Sequence, residues 1–84
     1  MSAAAKRFRD LERRFRKIAP SRRLSPAQRH DLMWAAALQQ VVEIATAELC
    51  LGIPHDRRLI LQMKLEIGAR LASVGIKTSS PPGA

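Results

Sequence analysis

Residues 25–56 read SPAQRHDLMWAAALQQVVEIATAELCLGIPHD, a stretch holding a helix start, a helical body, a stop and a second start. Ser25 can cap a helix, Pro26 suits the first helical position because no N–H is needed there, and Gln28 can complete a capping box. Gly52 supplies the left-handed residue that ends a helix, and Pro54 blocks its simple continuation. Asp56 then sits favourably at the positive end of a new helix dipole. These signals predict one helix over about 26–51 and another over about 55–74. Gly75 is expected as the second C-cap, with Ile76 making the apolar contact that accompanies such caps.

Upstream, Ala4, Phe8, Leu11, Phe15 and Ile18 recur at spacings of four and three, which predicts a helix over about 2–18 with a narrow apolar stripe. Its other faces are nearly all charged. Asp10 with Arg14 and Glu12 with Arg16 are spaced to pair along the helix, acid before base. Pro20 ends the segment, and Ser21 to Leu24 form a short basic linker. Downstream, 77–84 shows no apolar period and is expected to be loose. The chain therefore reads as all-α: a basic amphipathic helix with its linker (1–24), a helical hairpin (25–76) and a tail (77–84).

The middle helix sets a thin polar stripe (Gln39, Gln40, Glu43, Thr46) against a broad apolar surface. The third carries two apolar rows, Ile60, Met63, Ile67, Leu71 and Val74 in one, Leu61, Leu65, Ala69 and Ala72 in the other. One neighbouring helix cannot cover both rows. Either the first helix folds back to make a compact monomer, or another subunit or protein covers the excess; association is the expectation, because cores this small are weak. The residues expected to face a partner are Trp34, Leu38, Val41, Ala45, Leu49, Ile60, Met63, Ile67 and Leu71.

The 15 Lys and Arg outnumber the 7 Asp and Glu by eight, and the whole excess lies in residues 1–30. A positive segment on a neutral body points to polyanionic partners. The candidate phosphate-binding residues are Lys6, Arg7, Arg9, Arg13, Arg14, Arg16, Lys17, Arg22 and Arg23. Arginine dominates this set, and its guanidinium forks phosphate oxygens where lysine acts as a point charge. Phe8 and Phe15 share the register of Leu11 and Ile18, so they read as packing residues rather than base-stacking ones. Phosphate contacts without base contacts imply affinity with little sequence preference. An anionic membrane surface would accept the same segment with its apolar stripe turned to the lipid. The Arg-rich start also has the composition of a targeting peptide, against which Asp10 and Glu12 count.

Eighty-four residues make one small domain and no large catalytic cleft. A single cysteine, Cys50, permits no internal disulfide and is expected as a buried small hydrophobe. His30, His55 and Cys50 lack metal-ligand spacing. His30-Asp31 and His55-Asp56 read as polar helix starts, since helical neighbours point about 100° apart. No nucleophile motif or Gly-rich phosphate loop occurs, so no enzymatic activity and no cofactor is expected. A helix-turn-helix is disfavoured, because Glu48, four before Gly52, would put a charge where the helices meet. The longest uncharged stretch, Leu32 to Val42, is too short to span a bilayer, and with no secretory signal the expected location is cytoplasmic.

In outline, a helix, the Gly52 turn, the Asp56 start and a second helix are similar to the small hairpin co-chaperones of bacterial secretion needles. The likeness covers roughly half the chain without a specific motif. It implies the alternative function of an adaptor or small helical chaperone that binds a partner helix.

Overall fold

The structure, a computed structural model, describes residues 3–77. It is all-helical among those residues: α1 (Ala3–Ile18), α2 (Pro26–Cys50) and α3 (Arg57–Ser73). Beyond Lys77, the tail read at 77–84 lies outside the described residues. Each helix boundary falls within two residues of its expected place, and local hydrogen bonds fix both ends of α2 and of α3. The Ser25 hydroxyl accepts from the Gln28 N–H at 3.1 Å, and the Gln28 side chain accepts from the Ser25 N–H at 3.0 Å. Asp56 accepts from the Arg58 N–H at 2.9 Å and so caps α3.

Both long helices end in the same six-residue motif. Gly52 has φ of 86°, its N–H donates to the Leu49 carbonyl at 3.0 Å, and the Ile53 N–H donates to that of Glu48 at 2.9 Å. Gly75 has φ of 85°, with its own N–H on Ala72 and that of Ile76 on Leu71, both at 2.9 Å. This is the Schellman pairing, which needs a left-handed residue and so favours glycine.

Helix α2 is the centre of the molecule. Both α1 and α3 pack on it, and no Cα of α1 comes within 8 Å of one in α3. Both packings are antiparallel, with Arg7 of α1 paired to Glu43 and Arg29 of α2 close to Glu12. On the other side, Trp34 bonds to Glu66 while Asp31 bonds to Arg70 of α3. A helix flanked on two sides must admit two neighbours closely, and α2 does so through Ala35, Ala36 and Ala45, all buried. Leu11 and Phe15 of α1 share one core with Leu32 and Val42 of α2, with Ile60, Ile67 and Leu71 of α3, and with Val74 and Ile76 beyond it. The boundary expected between residues 24 and 25 thus runs through a single core.

Of the two apolar rows on α3, the row of Ile60, Met63, Ile67, Leu71 and Val74 faces inward. Leu61, Leu65, Ala69 and Ala72 are exposed. The first helix does fold back, but onto α2, and leaves that second row uncovered.

Two expectations are corrected. Cys50 is exposed rather than buried, because it is the last residue of α2 and stands about 100° round the helix from Leu49, which packs on the core. The pairs along α1 also differ from the expected ones. Asp10 lies 3.8 Å from Arg13, and Glu12 lies 3.8 Å from Arg29 of α2. Docking of α1 turns Glu12 toward α2, where an arginine from another helix competes for it.

Candidate nucleic-acid interface

Docking sorts the nine candidate cations of residues 1–24 into two groups. Two of them turn to the protein. Arg7 donates to Glu43 across the α1–α2 seam, and Arg14 donates to the Lys77 carbonyl oxygen at 3.1 Å. The others point away. Lys6, Arg9, Arg16, Lys17, Arg22 and Arg23 are exposed and make no ion pair among the described residues, and Arg13 has there only the loose contact to Asp10, with both side chains more than half exposed. Such an exposed pair contributes little and leaves Arg13 open to a stronger anion.

The reason for this sorting is the helical period. Phe8, Leu11 and Phe15 fix which side of α1 is inward, and Lys6, Arg9, Arg13, Arg16 and Lys17 then fall on the opposite side within an arc of about 100°. The row is about 17 Å long from Lys6 to Lys17. Phosphates of one duplex strand rise about 3.4 Å each, so the row matches about five of them. Phe8 and Phe15 are packing residues, as their register implied: Phe15 is 4% exposed, and Phe8 packs on the core beneath the Arg29 guanidinium, 5.8 Å from its ring centre.

The row ends at a hollow. Where α1 turns into α2, Glu12, Phe15, Arg16, Pro20, Arg22, Arg23, Leu24 and Arg29 line a concavity of about 410 Å³. Arg29 was not among the residues singled out from the sequence, since it belongs to the first turn of α2 rather than to the basic segment. Its spacing of four from Ser25, the cap, was the available signal that it stands beside the linker.

The residues expected to face a partner divide differently. Ala45, Ile60, Ile67 and Leu71 are buried in this chain's own core, and Leu38, Leu49 and Met63 pack against it. Only Trp34 and Val41 of that set remain substantially exposed. Trp34 is also held locally: its Nε1–H donates to Glu66 at 3.1 Å, and the Arg70 guanidinium lies 5.2 Å above its ring. The exposed apolar side chains include Val41, Ile44 and Leu59 around one groove, and Leu61 and Leu65 on the outer face of α3. The outward placement of Leu61 and Leu65 depends on which α3 row turns inward, a choice made by tertiary packing.

Glu48, expected to sit awkwardly in a helix-turn-helix, lies 3.6 Å from His55 Nε2 and its carbonyl holds the turn. Among the described residues no group of His, Cys, Asp or Glu could hold a metal ion, and no helix is long and apolar enough to cross a membrane. No protein-family model, curated protein or solved structure matches the chain.

Proposed function

We propose that this chain is a non-enzymatic accessory protein of the cytoplasm that binds the phosphate backbone of nucleic acid through the outer face of α1. The observation that carries this reading is the five-cation row opposite the docked stripe, extended by Arg22 and Arg23 and almost free of carboxylates. A docked helix holds the row straight, so binding does not have to order the segment first. The uncovered α3 row and the adjacent groove are the surfaces through which two copies would associate and present two such rows.

The test is fluorescence anisotropy with labelled duplex DNA and single-stranded RNA at about 50 and 200 mM salt, where five neutralised phosphates give a log-log slope of about −4 to −5. The triple substitution R9Q/R13Q/R16Q should reduce the slope to about −2, because two cations remain in the row. Substitution is the informative change, since deleting residues 1–23 would also remove Leu11 and Phe15 from the core. Salt-insensitive or absent binding by the full chain refutes the proposal.

A second reading, a protein adaptor, is favoured by one observation: Leu61 and Leu65 are exposed beside Arg57, Arg58 and Lys64, none of which has an ion pair among the described residues. A partner helix with acidic flanks would suit that face. Recovery of a stoichiometric helical partner that nuclease treatment does not release supports this reading over the first. Membrane attachment through the α1 stripe requires α1 to leave α2, since Leu11 and Phe15 are buried there.

A further inference from the structure

The cations of this chain are arranged in two geometries, a line and a cluster. The line on α1 spaces its charges along an axis and suits singly charged phosphodiesters that are spaced likewise. The hollow at the α1–α2 corner instead gathers Arg16, Arg22, Arg23 and Arg29 around one concavity of about 410 Å³. Glu12 is the one carboxylate in its lining and lies 3.8 Å from Arg29, so the concavity keeps a net excess of three positive charges.

The backbone that carries these arginines is fixed. Arg16 follows Phe15, which is buried. The Arg22 N–H donates to the Ala19 carbonyl at 3.1 Å and closes the turn after α1. Arg23 precedes Leu24, which packs on the core, and Arg29 lies one turn beyond the Ser25 cap, its N–H on the Ser25 carbonyl at 2.9 Å. Four arginines that line one space repel each other, and a compact, multiply charged anion relieves that repulsion more effectively than a single diester.

We infer that this hollow binds a clustered phosphate, a phosphomonoester or pyrophosphate group, at the end of the row that tracks diesters. Two sources carry that chemistry: the 5′-terminal phosphate of a nucleic-acid strand and a free oligophosphate. For the first source the inference rests on the nucleic-acid reading above; for the second it stands alone.

The experiment uses the full chain at about 50 mM salt with two probes. Inorganic pyrophosphate is titrated by calorimetry, and oligonucleotides of one sequence, with a 5′-phosphate or a 5′-hydroxyl, are compared by anisotropy. Pyrophosphate should bind saturably, and R22Q/R23Q should weaken it about tenfold or more, the scale set by losing hydrogen bonds from charged donors. The control R9Q/R13Q should leave pyrophosphate binding nearly unchanged while weakening both oligonucleotides alike. The 5′-phosphate should tighten oligonucleotide binding, and R22Q/R23Q should remove that gain. Circular dichroism should show both variants keeping the wild-type helicity, since the substituted residues are exposed.

Absence of saturable pyrophosphate binding, or equal weakening by the two double variants, overturns the inference. If the oligonucleotides then still bind with the expected salt slope, the diester row stands without the hollow. Saturable pyrophosphate binding with no oligonucleotide binding instead removes the nucleic-acid reading and leaves an oligophosphate site.

Discussion

The two ends of the α2–α3 pair share a backbone motif and differ in almost everything built on it. At one end Leu32, Leu71 and Ile76 are at most 1% exposed, and the Ile76 that follows Gly75 belongs to the core. At the other, Ile53 holds the equivalent position after Gly52 and is 43% exposed, with Leu51 and Leu59 exposed beside it. Polar contacts follow the same division. Near Gly75, Arg70 bonds to Asp31 at 2.9 Å and to Glu66 at 3.2 Å, and the Ser73 hydroxyl stands between Asp31 at 3.0 Å and the Arg70 carbonyl at 2.7 Å. Near Gly52, the only acid–base side-chain contact among the described residues is Glu48 with His55, at 3.6 Å.

Length explains the contrast. The 16 residues of α1 and the 25 of α2 correspond to about 24 and 38 Å of helix. Because α1 runs back from the start of α2, it is used up near Glu43, and the last two turns of α2 have only α3 for company. A Schellman turn therefore ends a helix by local bonding, while the burial of its trailing apolar residue depends on whether a third element reaches it.

The largest expected effect on this comparison comes from emptying the closed end. Leu32→Ala or Leu71→Ala should cost about 3 to 4 kcal/mol in urea unfolding, from lost burial and the cavity left behind. Leu51→Ala and Leu59→Ala at the open end should stay within about 0.5 kcal/mol. Equal losses at both ends would mean that the open end is covered in solution, which sedimentation of the wild-type chain would then show as association. Glycine tests the part the ends have in common. Gly52→Ala and Gly75→Ala should each cost about 1 kcal/mol and by similar amounts, since both need positive φ and neither would bring a new Cβ within 4 Å of a neighbour. A much larger loss for Gly75→Ala would show that burial of Ile76 is coupled to the turn.

The smallest effect on stability is expected on the outer face of α3. L61S/L65S should leave the unfolding free energy within about 0.5 kcal/mol. In sedimentation velocity the same variant should shift the population toward monomer if two copies meet there.

Helix limits were readable from the sequence because their causes are local: Ser25, Pro26 and Gln28 at one start, Asp56 at another, Gly52 and Gly75 at the stops. The apolar stripe of α1 was equally readable, since Phe8, Leu11 and Phe15 keep a helical period. What covers that stripe was not. Ile60 and Leu61 are adjacent and both apolar, and only packing against α2 decides that Ile60 is buried and Leu61 exposed. The same holds for the cations. Composition marked all nine basic residues alike, whereas docking assigns Arg7 and Arg14 to the protein and brings in Arg29 from another helix.

The bond from Arg14 to the Lys77 carbonyl joins residues 63 apart in sequence, although α1 and α3 themselves do not meet. Closing so long a loop is costly for a free chain, but most of the distance is removed once α2 has gathered its two neighbours. The contact should therefore form late in folding and open early. Amide hydrogens of Gly75 and Ile76 should exchange faster than those in the middle of α2, through a local opening that leaves the three helices in place.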